Sequence, residues 1–265
     1  MADELGFKVT HLDSNIDHVK QGANVDTLIT KKVDSIIFII GDEVAMKPMA
    51  QKARDNGIAT VFIGGGTNIL GIQCSMMSND YEIGQDLAKW MIDKMNGKGN
   101  IIVFQNPSQD STRSRYEGML SVVESNPNVK IIEDRVQEWA GDRLNAMKEM
   151  EVFLNKYPKG EIGAVWAAWD APAYGAAEAI KAAGREEIFS VGINGEIASL
   201  NAIRQGMPFK ATVAQRPKEF GRTAVEMAYR LIKGDRAVPR EIYFSHVIYH
   251  EGNLPPEGDL GISTE

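Results

Sequence analysis

The residues best suited to chemistry gather where apolar runs give way to helical patterns. Gly41-Asp42-Glu43, Gly64-Gly65-Gly66-Thr67-Asn68, and Gln105-Asn106-Pro107 running on to Arg113 and Arg115 are such places. Trp139-Ala140-Gly141-Asp142, Trp166-Ala167-Ala168-Trp169-Asp170 and Ile193-Asn194-Gly195-Glu196 are others, and Gln215 directly follows the run Lys210–Ala214. Together they offer amides, guanidinium groups, carboxylates and three of the four tryptophans. That mixture suits sugars and polyols. Flat aromatic faces cover the apolar C–H patches of such molecules, while planar polar groups hydrogen-bond their hydroxyls.

Each of these residues also has a plainer reading. Trp166 lies inside an apolar run and reads as core, and Trp90 lies within a helix and reads as packing. Trp169 closes an apolar run beside Asp170, and Trp139 follows polar Gln137-Glu138 in a connection, where an exposed indole points to function. Arg115 can be a solvated helix residue, and Asp170 a helix N-cap. Catalytic patterns are weaker. Of His11, His18, His246 and His250, only the last two are close, at a strand end rather than on one helix face, so metal-ligand spacing is absent. No Gly-x-Ser-x-Gly elbow precedes a helix, and Cys74 has no local nucleophile signature. Gly64-Gly65-Gly66 lacks both the dinucleotide spacing and the lysine of a phosphate loop. The pattern predicts no catalytic residue, no metal and no cofactor.

The elements that must position these turns alternate. Strands are predicted at Phe7–Leu12, Ser35–Ile40, Ile58–Ile63, Ile101–Phe104, Val129–Glu133, Ala164–Ala168, Phe189–Ile193, Lys210–Ala214 and Ile242–Tyr249. Helices are predicted at Val19–Lys32, Lys47–Asn56, Asp80–Met95, Arg113–Ser125, Arg143–Lys156, Ala173–Ala183, Ala198–Gln205 and Glu219–Ile232. Such alternation means α/β architecture with parallel sheets covered on both faces. The strands are too many for one tidy sheet, so two doubly wound lobes are expected. In these sheets ligands bind beyond the carboxyl ends of the strands, where the turns lie.

The chain has 265 residues, enough for sizeable cores, with 43% hydrophobic and 25% charged residues. Its formal charge of −7 lacks the basic footprint of a nucleic-acid or anionic-membrane binder. No run approaches the roughly 20 apolar residues of a membrane helix, and no signal peptide is visible. The single cysteine excludes an internal disulfide.

Certain stretches carry a resemblance by their order: Asp26-Thr27-Leu28-Ile29 through Val33-Asp34-Ser35-Ile36-Ile37, Ala53-Arg54-Asp55-Asn56-Gly57-Ile58, and Arg115-Tyr116-Glu117-Gly118-Met119. Asp170-Ala171-Pro172-Ala173-Tyr174-Gly175-Ala176, Val191-Gly192-Ile193-Asn194-Gly195, and Lys210-Ala211-Thr212-Val213-Ala214-Gln215-Arg216-Pro217 follow. From about Leu5 to Tyr249 the chain resembles the type I periplasmic sugar-binding proteins, the ribose-binding family of transporter receptors. Their cousins are the effector domains of lactose-repressor-type regulators. The final stretch looks like the receptors, and no DNA-binding headpiece is present. The resemblance implies two lobes, 1–79 with 216–244 and 80–215 with 245–265, joined by a three-stranded hinge near Asn79, Gln215 and Phe244. It implies capture of a sugar, polyol or sugar derivative in the interlobe cleft, in the periplasm or another extracytoplasmic space, for an ABC transporter permease, without chemistry. By position it assigns ligand contacts to Arg115, Trp139, Trp169, Asp170, Asn194 and Gln215. Trp169 replaces the family's usual amide, Asn194 its usual aspartate, and Gly64-Gly65 an Asp-Arg pair. The alternatives are a regulator's effector domain, or a small-molecule enzyme holding phosphate at Gly64-Gly65-Gly66 with Asp170 as base.

By the same resemblance, the family's first strand and most of its first helix are absent from the front of this chain, and Met1–Leu5 reads as that helix's last turn, capped by Gly6. Neighbours of the missing strand are expected to be exposed, and the first lobe to be unstable in isolation.

Overall fold

Alternating apolar and helical segments build two parallel-sheet units in a computed structural model that describes residues 2–15, 17–39, 41, 43–64 and 69–257. The first unit comprises Met1–Ser78 and Arg216–Phe244, the second Asn79–Gln215 and Ser245–Glu265. The chain therefore passes between units after residues 78, 215 and 244.

In the first unit, α1 (His18–Thr30), β1 (Ser35–Ile39), α2 (Glu43–Asp55), β2 (Ala59–Ile63) and β3 (Cys74–Ser78) come from the front of the chain. In the numbering of the whole chain, α8 (Pro217–Ile232) and β9 (Glu241–Phe244) complete it. The strands run parallel in the order β1-β2-β3-β9. Pleating sends alternate side chains to opposite faces. Ile36, Phe38 and Phe62 meet Val25, Met46 and Ala50 on the α1–α2 face, while Val61, Cys74 and Met76 meet Phe220, Ala224 and Met227 of α8. Burying each such large side chain contributes roughly 1.5–3 kcal/mol.

The second unit holds α3 (Asp80–Lys94), β4 (Gly99–Gln105), α4 (Asp110–Glu124), β5 (Val129–Val136), α5 (Asp142–Lys156) and β6 (Ala164–Ala167). It continues with α6 (Asp170–Ala182), β7 (Phe189–Asn194), α7 (Ile197–Arg204), β8 (Phe209–Ala214) and β10 (Val247–His250). Its sheet order is β10-β8-β7-β6-β4-β5, parallel except for β10, which runs antiparallel to β8. Along β4, Ile101 and Val103 join the α3–α4 core, and Ile102 and Phe104 join the core under α5, α6 and α7. Trp166 is fully buried in the first of these, as core.

Three expectations are corrected. Phe7–Leu12, predicted as a strand, pairs with no strand among the described residues, and Val9 and Leu12 are exposed. A strand exists only through a ladder partner, and β1 is the edge of the sheet. The single strand expected over Ile242–Tyr249 is two, β9 and β10, one in each unit. Cys74–Ser78, not foreseen as a strand, is central and wholly buried.

Helices α3 and α4 cross closely enough to require glycine. A Cβ at Gly84 would stand 1.9 Å from the carbonyl oxygen of Arg115, and one at Gly118 would stand 2.0 Å from that of Tyr81. These contacts are to backbone and cannot be relieved by a side-chain rotation. Gly84→Ala or Gly118→Ala should therefore cost about 1–3 kcal/mol or more in denaturant unfolding of the second unit. Gly221→Ala in α8, where a Cβ meets nothing within 4 Å, should stabilise by roughly 0.5–1 kcal/mol. Equal effects at Gly84 and Gly221 would contradict the crossing.

Candidate functional site

The winding of the second unit's sheet reverses between β4 and β6. From β4 the chain goes outward to β5, then returns to place β6, β7 and β8 on the other side. Loops leaving β4 and β6 therefore diverge, and a ligand binds beyond the carboxyl ends of such strands at this point. All six expected site residues belong to this unit.

Arg115 comes from α4 and is 5% exposed. Its Nε donates to Oδ1 of Asp80 at 2.7 Å, and Nη1 donates to the carbonyl of Ala168 at 3.0 Å, at the end of β6. Nη1 also reaches Oδ1 of Asn194 at 3.5 Å, while Nη2 has no hydrogen-bond partner among the described residues. Asp80 opens α3, whose N-cap Asn79 accepts from the Glu82 amide at 3.2 Å. The glycine crossing brings the two helices together and makes this ion pair possible. The guanidinium thus stands at the β4–β6 divide already neutralised.

Trp169 is the N-cap residue of α6, 5% exposed, and its Nε1 donates to Oδ2 of Asp142 at 2.6 Å. Asp142 is the first residue of α5, and its Oδ1 accepts from the Arg143 amide at 2.7 Å. The two helix starts are held side by side because Gly175 of α6 abuts the backbone of Arg143, whose guanidinium also forks onto Glu178 at 2.8 and 2.6 Å. Trp139 lies against Trp169 with ring centroids 4.7 Å apart and planes tilted by 33°. Its own Nε1 donates to Ser108 Oγ at 3.3 Å.

Asp170 departs from expectation. It was expected to hydrogen-bond a ligand, yet it is fully buried, and each carboxyl oxygen already accepts a bond. Oδ1 takes the Thr212 hydroxyl at 2.7 Å and Oδ2 the Glu196 amide at 2.9 Å. Thr212 Oγ1 in turn accepts from the Gly195 amide at 3.0 Å. Nor is Asp170 the N-cap, a place taken by Trp169. Its carboxyl clamps the turn after β7, next to Asn194, the strand's last residue, at φ +143°, a region normally left to glycine. Asn194 is half-buried, its amide directed between Arg115 and Glu196, 3.4 Å from Glu196 Oε1. Burial pushes the Asp170 carboxyl up to about 7, against the hydrogen bonds from Glu196 and Thr212.

Gln215 is half-buried just past β8 and hydrogen-bonds to none of these residues. Arg115, Trp139, Trp169 and Asn194 form one linked group, through the Ala168 carbonyl and the indole stack. Asp42, Gly65, Gly66, Thr67 and Asn68 lie outside the described residues. Asp80, Asp142 and Thr212 were not foreseen as supports of the site. Glycines at 84 and 118 inside two helices were the one available sign of the crossing. Among the described residues, no helix is long and apolar enough to cross a membrane.

The family described as periplasmic binding protein domain matches residues 1–236. The chain belongs to that family. This periplasmic binding protein domain is 30% identical over 234 residues to a D-apiose import binding protein of Paraburkholderia graminis, covering 88% of this chain and 73% of that protein. It is 27% identical over 231 residues to a xylitol-binding protein of Mycolicibacterium smegmatis, covering 87% of this chain but 65% of the relative. A solved ABC transporter solute binding protein of Agrobacterium vitis with bound allitol superposes with a TM-score of 0.86 at 32% identity, covering 94% of this chain and 87% of that one. Relatives of the family are thus transport binding proteins for sugars and polyols, and the fold is the type I one.

The buried carboxyl of Asp170 makes stability depend on pH in a fixed direction. The folded state keeps its proton up to about 7, whereas an ordinary aspartate releases it near 3.8. The stabilisation is complete below the lower value and is lost as pH rises through the upper one. Asp170→Asn does not ionise, so the gap in melting temperature between wild type and variant should shrink steadily from about pH 4 to about pH 7. Parallel profiles would remove this assignment.

Proposed function

We propose that this chain is an extracytoplasmic solute-binding protein that captures a neutral sugar, polyol or sugar derivative and delivers it to an ABC transporter permease. The observation that carries the reading is the linked group at the β4–β6 divide. A neutralised guanidinium with a spare Nη2, a strained asparagine amide and an indole stack stand together where such sheets bind ligands. Arg115 donates to hydroxyls, Asn194 donates to and accepts from them, Trp139 and Trp169 cover a C–H face, and Gln215 adds an amide from just past β8. Asp170 acts from behind by fixing the Asn194 turn. Pairing of Arg115 with Asp80 favours a ligand without net charge. The xylitol-binding and D-apiose import binding relatives, and the allitol bound in the Agrobacterium vitis structure, support the same ligand class.

An enzyme reading needs Asp170 as base, and its oxygens are both engaged. The transport binding proteins among its relatives support binding without turnover.

A thermal-shift screen with xylitol, allitol, D-apiose, D-ribose, D-allose, myo-inositol and nucleotides tests the proposal. A cognate ligand at about 100 times its Kd should stabilise the protein by about 2.7 kcal/mol. Trp139→Ala should weaken that ligand by about 2 kcal/mol or more, as at a buried binding hot spot. A response to nucleotides alone, or to no saccharide, would sink the reading.

A further inference from the structure

Both indole N–H groups of the stacked pair are spent inside the protein, Trp169 on Asp142 and Trp139 on Ser108. An amide side chain at position 169 would offer a hydroxyl both a donor and an acceptor. An indole whose N–H is committed offers neither, only carbon surface. We propose that Asp142 is a specificity-setting positioning residue. By taking the Trp169 N–H and anchoring it to the start of α5, it fixes the indole pair as a surface without hydrogen-bonding capacity. The site then prefers a neutral saccharide that presents a deoxygenated carbon there over its hydroxylated parent. This rests on the solute-binding reading above and adds to it the chemical character of one face of the ligand.

The geometry favours this role over simple helix capping. Asp142 already serves α5 through Oδ1, which accepts from Arg143, so Oδ2 is available for a second task. That task is a 2.6 Å bond to a side chain 27 positions away, on another helix. Trp169 is 5% exposed and has Trp139 at 4.7 Å, so without the carboxylate its N–H would be left buried and unpaired. A hydroxyl pressed against such a surface loses water and gains no partner. Apolar surfaces reject an added hydroxyl only modestly, by up to on the order of 100-fold.

Matched saccharide pairs test the proposal by calorimetric titration: D-fucose against D-galactose, L-rhamnose against L-mannose, and 2-deoxy-D-ribose against D-ribose. Wild type should prefer the deoxy member of at least one pair by about 10- to 100-fold. Asp142→Ala should bring that ratio to about threefold or less and abolish the exciton couplet of the stacked indoles in ultraviolet circular dichroism. Asp142→Asn keeps an acceptor oxygen for the indole and should restore both ratio and couplet, which a loss of folding alone would not do. Trp169→Phe keeps an apolar surface that needs no carboxylate and should retain the preference, whereas Trp169→Asn should reverse it, whatever the fate of the Asp142 variants. Equal binding of both members of every pair by wild type overturns this inference and leaves the solute-binding reading standing. So does a preference and couplet unchanged in Asp142→Ala. No binding of any saccharide overturns both.

Discussion

Two helices that touch backbone to backbone set the terms for the second unit. Where α3 and α4 cross, Gly84 faces the carbonyl of Arg115 and Gly118 faces that of Tyr81. No other residue type permits this approach, and without it Asp80 would not reach Arg115. A buried guanidinium left without its carboxylate is strongly destabilising, typically by about 3–5 kcal/mol. With the pair formed, the same guanidinium ties the end of β6 to the turn after β7 through Ala168 and Asn194. One steric condition thus positions a charge, cancels it and fixes the strand ends that surround it.

The site is built from groups that satisfy one another before any ligand arrives. Asp142 serves Trp169, Ser108 serves Trp139, Asp80 serves Arg115, and Asp170 with Thr212 serves the Asn194 turn. This is preorganisation in a plain sense: side chains are held by partners on other elements, so binding need not order them. A local cost is the backbone of Asn194, held at φ +143° beside a network that a fully buried carboxyl anchors.

Much of this could be read in the sequence, and the rest could not for definite reasons. Ser35–Ile40 announced itself by β-branched residues between turn signals, and the alternation of such runs with helical patterns gave the parallel sheets. Cys74–Ser78 did not, because Cys-Ser-Met-Met-Ser carries neither alternation nor β-forming residues and is a strand only by burial on both faces. Phe7–Leu12 has the right pattern but lacks a ladder. The positions of Arg115, Trp139, Trp169 and Asn194 followed from strand-end turns. Their partners stayed hidden, since Asp80 and Asp142 look like ordinary acids in a helix's first turn. The full burial of Asp170 stayed hidden because burial cannot be seen in a residue that commonly sits exposed at the start of a helix.

The split of residues 241–250 into β9 and β10 affects how the polypeptide can become a protein. β9 hydrogen-bonds to β3 in the first unit, and β10 closes the edge of the second unit's sheet on β8. Each unit therefore draws one of its strands from the same short stretch near the chain's far end. During synthesis neither sheet has its full set of strands until that stretch emerges, so almost the whole chain is waiting when it does. Closure of both sheets is then nearly simultaneous, and it depends on contacts between residues far apart in sequence, the kind that form slowly. A chain interrupted anywhere before residue 241 leaves two unfinished halves rather than one finished domain and one missing one.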